Sequence, residues 1–396
     1  MFNWIFQIFA VTRFSLRSIP QRKGSSLAAM LGIAGVVAVM VGVLSIAQGI
    51  MNTMQQSADG RNAVVLRSGA DTEMMSGLGG DETRIIAEAP GISRDESGAL
   101  ASPELFVIIN LPMRTTGTDA NVPMRGVHAQ AAKVREGFRI IEGRMFEWGL
   151  NEIIVGSGAR EQFQGLDLGA GIEVAQERWP VVGVFESGGS VAESEIWVDA
   201  SVLQSAYRRG NSYQSVLVKL AAGATFDEFK DALTSDPRLN IKAVRESEYY
   251  AAQSERIYNM ITGLGTLIAV IMGLGAVFGA LNTMYTAVSA RTREIATLRA
   301  LGFHAGPVVI SVLSESLLLA LIGGLIGAGL AWLAFDGFRT ATLNWDSFSA
   351  ITFAFDVNLR LLVQGIVFAM LIGLVGGLLP AVRAARQPIA HALREL

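Results

Sequence analysis

Four long apolar stretches constrain this sequence more than any other feature. The first contains 21 residues without a charge, 27–47, and a helix of about 20 such residues crosses the hydrocarbon core of a bilayer. The composition agrees, because 51% of the 396 residues are hydrophobic and 43 are glycine. We predict four transmembrane helices, at residues 27–50, 256–288, 307–335 and 361–382.

Residues 51–255 have the pattern of a soluble α+β domain between the first and second spans. Short β-rich runs such as ELFVIIN (104–110) and WPVVGVF (179–185) alternate with helical patterns and Gly or Pro turns. We expect several small sheets rather than one barrel, and a flexible loop at MMSGLGG (74–80). With 29 acidic and 19 basic residues, a net charge of −10, the domain is a poor partner for nucleic acid.

The distribution of basic residues predicts the topology. Ten Lys or Arg fall in the N-terminal segment (1–26), the segment between spans two and three (289–306) and the tail (383–396), against two in the loop 336–360. Basic loops stay in the cytoplasm, so both termini are expected inside and the 51–255 domain outside. The N-terminal segment reads as an amphipathic helix on the inner membrane face; a cleaved signal peptide fits less well because the following run is long enough to span.

The second span is expected to extend beyond the bilayer. No proline occurs between Arg238 and Gly306, so one helix can cover residues 246–290. Its apolar part, 260–288, would measure about 44 Å at 1.5 Å per residue, against a core of about 30 Å. Part of the helix therefore forms a stalk under the outer domain.

A charged segment, SARTREIATLRALG (289–302), separates spans two and three. On a helix, Ile295, Leu298 and Leu301 form one stripe and the charged residues lie toward the other side, with a glycine as the C-terminal stop. We interpret it as a docking helix; the alternative is a turn made basic only to hold the topology. The residues expected to carry docking are Arg291, Arg293, Glu294, Ile295, Leu298, Arg299, Leu301 and Gly302.

Two features inside the spans suggest helix contacts. Glu315 is an ionisable residue in an apolar stretch, which is costly unless it faces protein or water. It is expected either to bind an arginine of the 289–302 segment or to snorkel to the interface. Glycine pairs at spacing four let helices approach closely, within one chain or between two: Gly275 and Gly279, Gly323 and Gly327, Gly373 and Gly377.

The sequence offers no catalytic constellation. None of its five lysines follows a glycine, as a P-loop requires, so the chain is expected to be a transport subunit without its own ATPase site. It has no cysteine and three scattered histidines, His128, His304 and His391, which argues against a metal site. Gly156-Ser157-Gly158 lacks the spacing of a serine-hydrolase motif.

Three stretches carry a family resemblance. The charged segment RTREIATLRALG (291–302) and the ending PAVRAARQPIAHALR (380–394) closely resemble FtsX-like and MacB-like ABC transporter permeases, which include lipoprotein-releasing and macrolide-exporting types. The outer segment resembles the MacB-like core domain more loosely, through EGRMFE, NEIIVGSGARE and WPVVGVFESGG. Residues at its expected turns are Gly143, Arg144, Gly156, Gly169 and Gly183.

The resemblance implies a four-span permease of the bacterial inner membrane with a large extracytoplasmic α+β domain. It implies two copies of an ABC ATPase that bind ATP and Mg²⁺, and a second permease chain in a homodimer or heterodimer. No cofactor is expected in this chain, and a periplasmic adaptor is left open as a partner. By this resemblance, ATP hydrolysis moves the outer domains mechanically and exports a lipid, lipoprotein, peptide or drug.

Two other functions use the same charged segment. One is a membrane regulator that activates a cell-wall hydrolase outside the cell, as some FtsX-like proteins do. The other is a sensor of extracellular peptides coupled to a kinase. The substrate itself cannot be read from these motifs.

Overall fold

The fold divides into two compact units, and the chain passes back and forth between them. The computed structural model describes residues 23–56, 60–344 and 349–388, together with residues 7, 12 and 13. Most of the predicted N-terminal amphipathic helix and the tail beyond residue 388, with His391, lie outside these ranges. The first unit comprises residues 1–48, 259–338 and 355–396, and the second comprises 49–258 and 339–354. We call them the membrane unit and the outer unit.

In the described part of the chain, four helices are long and apolar enough to cross a membrane, as the sequence predicts. A short helix, α8, follows the second of them. The helices of the membrane unit are α1 (Lys23–Gln56), α7 (Glu246–Ser289), α8 (Thr292–Ala300), α9 (Ala305–Phe335) and α10 (Leu359–Arg386), of which α1 and α7 also contribute to the outer unit.

Glycines of α9 and α10 allow the closest helix contacts in the membrane unit. A Cβ built on Gly327 would lie 2.3 Å from the backbone oxygen of Ala34 in α1, and one on Gly323 would lie 2.8 Å from that of Met30. Gly373 of α10 contacts Ser316 and Ala320 of α9, and the Ser316 hydroxyl donates a 2.7 Å hydrogen bond to the Gly373 carbonyl. Gly377 also contacts Ser316. Two of the three predicted glycine pairs therefore pack helices within this chain.

The third pair behaves differently. Cβ atoms built on Gly275 and Gly279 in α7 would meet nothing within 4 Å. The same stretch of helix exposes Ile271, Leu274 and Phe278, the last with 70% of its surface accessible. Apolar side chains on a membrane helix face lipid or another protein, so this face of α7 makes no close packing among the described residues.

The α10 helix continues through Pro380 to Arg386. The helix therefore extends beyond residue 382, where the predicted fourth span ended. Proline removes one hydrogen bond and crowds the carbonyl four residues earlier, but helices in a membrane tolerate this when neighbours support the freed group. Pro380 and Ala381 are both buried in the helix bundle, which supplies such neighbours.

The outer unit contains most of the strands and several short helices. Its strands are β1 (Asn62–Arg67), β2 (Leu78–Gly79), β3 (Arg94–Asp95), β4 (Gly98–Ala99), β5 (Ala101–Pro112), β6 (Asp119–Val127), β7 (Phe138–Gly143), β8 (Ile153–Gly156), β9 (Gly171–Val174), β10 (Glu177–Ser187), β11 (Ile196–Asp199), β12 (Ser212–Tyr213), β13 (Ser215–Lys219), β14 (Ile241–Arg245), β15 (Arg339–Asn344) and β16 (Ser349–Ala354). Its helices are α2 (Gly80–Ala87), α3 (Ala131–Val134), α4 (Ser157–Gln162), α5 (Ala200–Ala206) and α6 (Phe226–Thr234).

Ten of these strands form one mixed sheet in the order β14-β1-β13-β5-β6-β11-β8-β10-β7, with β9 paired to β10. Strand β5 joins its two halves, because Ala101–Glu104 pairs with β13 and Leu105–Pro112 pairs with β6. The two β-rich runs named in the sequence, 104–110 and 179–185, lie in β5 and β10, but the expectation of several small sheets in place of one large sheet is wrong. The long β5 strand merges them.

The loop after α9 is part of the outer unit. Residues 339–344 and 349–354 pair as the antiparallel strands β15 and β16, where the sequence suggested only a polar loop at 336–360. Ala350 is buried in the main core of the outer unit, and the Thr352 N–H donates a 2.8 Å hydrogen bond to Ser194 Oγ. The outer unit is therefore assembled from two separate parts of the chain.

The glycine-rich run 74–80 is also ordered, against the expectation of a flexible loop. It contains part of a 3₁₀ turn (Glu73–Met75) and strand β2, and Leu78 is 1% exposed. Gly143 and Gly169 have positive φ values, +73° and +80°, as the expected turns require. Gly183 lies inside β10 instead, where a Cβ would approach the Arg144 oxygen to 2.2 Å.

We predict opposite effects from alanine at two glycines of the membrane unit. Gly327→Ala should lower the stability of the full chain in detergent by about 1–3 kcal/mol, because the new methyl overlaps the α1 backbone. Gly279→Ala should be neutral or stabilising, by up to about 1 kcal/mol, since alanine favours the helix and meets no neighbour. Thermal unfolding followed by circular dichroism measures both. Equal losses in the two variants would contradict the packing described.

Candidate functional site

The α8 helix ends in a tight, well-defined cap. Gly302 has φ +95°, its N–H bonds to the Arg299 carbonyl, and the Phe303 N–H bonds to the Leu298 carbonyl. This pair of hydrogen bonds is a Schellman motif, which favours glycine at the left-handed position. The sequence therefore places the stop of the helix correctly at Gly302.

An ion pair fixes the other end of α8. Arg291, the residue before the helix, contacts Glu315 of α9 with 3.2 Å between Nη1 and Oε2. Their side chains are only 11% and 4% exposed. The sequence put Arg291 on the outer, polar side of the segment, but it points inward because it precedes the first helical turn. Of the two alternatives for Glu315, binding an arginine of the segment is the one observed.

Arg299 attaches α8 to the end of α10. Its Nη1 donates to the carbonyl oxygens of Ala385 and Gln387, at 2.7 and 3.0 Å. The last carbonyls of a helix have no intrahelical partner and carry partial negative charge, so a guanidinium is a suitable cap. Arg299 therefore binds within the membrane unit and does not belong to the accessible face of α8.

The apolar stripe of α8 is divided between two faces. Ile295 and Leu298 are half-buried and line a narrow cleft of about 20 Å³ beside Val308 and Val312 of α9. Leu301 follows about 60° further around the helix from Leu298 and has 73% of its surface exposed. The expected single docking stripe of Ile295, Leu298 and Leu301 is therefore not what the fold presents.

The face of α8 that remains accessible is mixed in character. At 100° per residue, Arg293, Thr297, Leu301 and Glu294 fall within one third of a turn, and all four are exposed. We call these four residues the free face. It combines one cation, one carboxylate, a hydroxyl and a large apolar side chain on a helix held at both ends.

A second constellation, absent from the sequence interpretation, lies in the outer unit. Arg125 of β6 is buried and binds three carboxylates, those of Glu73, Glu104 and Glu195, with N–O distances of 2.7–2.8 Å. Its guanidinium also lies 5.0 Å from the centre of the Phe106 ring. One cation thus connects β6 with β5, with the segment before β11 and with the 3₁₀ turn at Glu73.

Arg135 completes the charge balance around Glu104. It donates to both carboxylate oxygens at 2.7 Å and stacks 4.9 Å from the Trp197 ring centre. Burial raises the pKa of Glu104, but Arg135 and Arg125 outweigh it and lower that pKa to about 2. The carboxylate is therefore ionised at every physiological pH. We call Arg125, Arg135, Glu73, Glu104 and Glu195 the arginine cluster.

The arginine cluster reaches the beginning of α7. The Glu73 N–H donates to the Tyr249 hydroxyl at 3.3 Å, and Glu73 Oε1 accepts from the Ser215 hydroxyl at 2.5 Å. Burial, and then the charge of Glu73, raises the pKa of Tyr249, so this phenol stays protonated. The first turns of α7 are thereby held to the sheet of the outer unit.

The sequence did contain a signal for the arginine cluster. Glu104 and Arg125 each stand in an otherwise apolar strand, ELFVIIN and PMRGV, where a charge must find a partner. Which partners they find depends on strand order, and Glu73 and Glu195 come from distant segments. The sequence pattern therefore indicates that Glu104 and Arg125 have charged partners, but it does not identify those partners.

We predict that the arginine cluster gives the outer unit a defined acid sensitivity. The pKa of Glu104 is lowered from 4.5 to about 2, so its contribution is complete above pH 4.5 and disappears as pH falls through 2. Glu104→Gln should destabilise the full chain by about 3–5 kcal/mol at pH 7 and flatten the pH dependence between 4.5 and 2. Urea unfolding followed by tryptophan fluorescence measures both effects.

A matched control is Glu136→Gln, since Glu136 pairs with Arg61 and Lys219 but is 62% exposed. Its loss should change stability by less than about 0.5–1 kcal/mol. If the two variants were equally stable at pH 7, the arginine cluster would contribute no more than a surface pair.

We also predict strong coupling between Arg291 and Glu315. Each single change, Arg291→Met or Glu315→Gln, should destabilise the membrane unit by about 3–5 kcal/mol, because it removes one partner of a buried ion pair while the other charge stays buried. The double variant should recover much of that loss. Thermal unfolding of the four proteins in one detergent gives the double-mutant cycle, with exposed Glu294→Gln as a neutral control. Additive losses would show that the two side chains do not interact.

The described residues thus form a four-span membrane protein with an α+β unit inserted between its first and second spans and a short helix clamped between the second and third. A family model of the MacB-like periplasmic core domain matches residues 26–236, and one of the FtsX-like permease C-terminal region matches 266–389. The chain belongs to this family of MacB-like and FtsX-like ABC transporter permeases.

Individual relatives agree with the family assignment. The chain is 24% identical to the uncharacterized ABC transporter permease YknZ of Bacillus subtilis, over 96% of this chain and 98% of that protein. It is 27% identical to the macrolide export ATP-binding/permease protein MacB 1/2 of Paracoccus denitrificans, over 97% of this chain but 58% of that protein. The crystal structure of the YknZ extracellular domain superposes on 46% of this chain with a TM-score of 0.36 and 15% identity.

Proposed function

We propose that this permease works with a separate ATPase subunit, which binds ATP and docks on the free face of α8. The observation that supports this proposal has two parts. Arg291 and Arg299 hold α8 in place, and the helix exposes Leu301 beside Arg293 and Glu294. A large apolar side chain flanked by charges on a fixed helix is suited to a protein contact. Because the clamps are made to α9 and α10, a push on α8 is passed directly to the bundle.

The printed names of two relatives describe two arrangements. That relative is named as an ATP-binding and permease protein, and this chain matches 58% of its length. YknZ is named a permease and is matched along 98% of its length. We propose that the ATP-binding function is supplied by another polypeptide, because none of the five lysines in these 396 residues follows a glycine as a P-loop requires. Two copies of it would face two permease chains of the same or different kind.

We further propose that the permease transmits movement to its outer unit. The α7 helix is continuous over 44 residues, about 66 Å, and is held to the outer unit at Tyr249 and followed after two residues by α8. A continuous helix carries displacement from one end to the other. Substrate, which on the family's pattern is a lipid, lipoprotein, peptide or drug, would then be handled by the outer units rather than in a pore.

The experiment that tests docking is a comparison of two leucines. Reconstitute the permease with its cognate ATPase in nanodiscs and measure ATP turnover with and without each variant. Leu301→Asp should abolish stimulation of the ATPase while leaving the thermal stability of the permease unchanged, because Leu301 is 73% exposed. Loss of such an interface anchor typically weakens binding by about 2 kcal/mol, roughly 30-fold.

Leu298→Asp is the matched contrast, since Leu298 faces the cleft against α9. It should lower the stability of the permease itself. If Leu301→Asp stimulates the ATPase as well as the wild type does, the free face is not the docking surface. ATP turnover by the permease alone would argue against a separate ATPase.

A further inference from the structure

Two exposed arginines, Arg383 and Arg386, lie in the last turn of α10. They follow a run of 22 residues without a charge, 361–382, which is preceded by Arg360. Such a run measures about 33 Å along a helix and so matches a hydrocarbon core of about 30 Å. Arg383 is therefore placed at one edge of the core, and Arg386 lies about 4.5 Å beyond it, at the depth of the lipid headgroups.

The two arginines continue an exposed apolar surface of α10. The large apolar side chains exposed toward this end of the helix are Leu371, Leu374, Val375, Leu378 and Leu379. At 100° per residue, Arg386 lies about 20° to one side of Leu379 and Arg383 about 40° to the other. Both guanidinium groups therefore extend from a face suited to lipid acyl chains, and long basic side chains on such a face reach toward the headgroups.

The positive charge at this end of α10 is not balanced by carboxylates. Neither Arg383 nor Arg386 forms an ion pair within the residues that the structure describes. The last carbonyls of a helix carry partial negative charge, but Arg299 of α8 donates to those of Ala385 and Gln387. The end of α10 therefore presents net positive charge to its surroundings.

An aromatic ring holds one of the two guanidinium groups between two spans. Arg383 Cζ lies 5.4 Å from the centre of the Tyr285 ring of α7. A guanidinium over an aromatic ring keeps N–H groups at its edge free to donate. The two helices pack closely nearby, since a Cβ built on Gly376 would lie 2.6 Å from Ala280 Cβ. Tyrosine is also a common residue at the boundary between hydrocarbon and headgroups.

We propose that Arg383, Arg386 and Tyr285 form a binding site for the phosphate of an anionic phospholipid headgroup. Guanidinium groups donate paired hydrogen bonds to phosphate oxygens, and basic surfaces between spans bind anionic headgroups. The positive-inside rule assigns this end of α10 to the cytoplasmic leaflet. The bound lipid braces the same turn of α10 to which Arg299 attaches α8.

The test uses the full chain in a maltoside detergent, without phosphate buffer. Phosphatidylglycerol or phosphatidylcholine with the same acyl chains is titrated, while native mass spectrometry measures lipid retention and thermal unfolding measures stability. The wild type should retain phosphatidylglycerol more tightly than phosphatidylcholine. Arg383→Gln/Arg386→Gln should weaken retention of phosphatidylglycerol by about 10-fold or more and remove this preference. Tyr285→Leu should weaken it by about 2- to 5-fold.

Arg360→Gln is the matched control, because Arg360 is an exposed arginine of the same helix at the other end of the uncharged run. It should retain phosphatidylglycerol as the wild type does, and unfolding without lipid verifies that every variant folds. Equal retention of the two lipids by the wild type would overturn the proposal, as would equal losses in Arg360→Gln and the double variant. Equal stabilisation of the wild type by soluble glycerol phosphate would overturn the assignment to lipid.

Discussion

The ionic contacts of Arg125 are the interaction on which the outer unit most depends. One guanidinium binds Glu73, Glu104 and Glu195, which come from segments far apart in the chain. Two of these carboxylates are almost completely buried, and removing any partner would leave an uncompensated charge where water cannot reach. The arginine cluster therefore links β5, β6 and the segment before β11, and through Glu73 and Tyr249 it also holds the start of α7.

The membrane unit is held by a different kind of contact. Apolar surface gives no preference for protein over lipid, so helix association relies on close packing and on hydrogen bonds. Gly327 against Ala34, and Ser316 against Gly373, supply both. The buried pair of Arg291 and Glu315 then adds α8 to this bundle at one defined position. Together with the Arg299 contacts to α10, the ion pair prevents α8 from sliding along the bundle. The proposed docking of an ATPase on α8 requires a helix fixed in this way.

Polar groups in both units thus serve as fixed points in largely apolar surroundings. Arg291 and Arg299 hold α8 to α9 and α10, and Tyr249 holds α7 to the sheet. Several buried side-chain oxygens differ from these groups, because they have no hydrogen-bond partner among the described residues; they include those of Thr72, Ser190 and Thr352.

The sequence by itself determined the four spans, the strand segments of the outer domain and the end of α8 at Gly302, because these depend on local hydrophobic length, alternation and backbone freedom. Tertiary structure alone decided which glycine pairs pack, that Arg291 turns inward while Leu301 remains exposed, and that residues 339–354 join the outer unit. It also decided that Pro380 stays within α10 and that β5 unites the sheet. The physical reason is that each of these outcomes depends on partners distant in sequence, and neither periodicity nor composition records which distant surfaces meet.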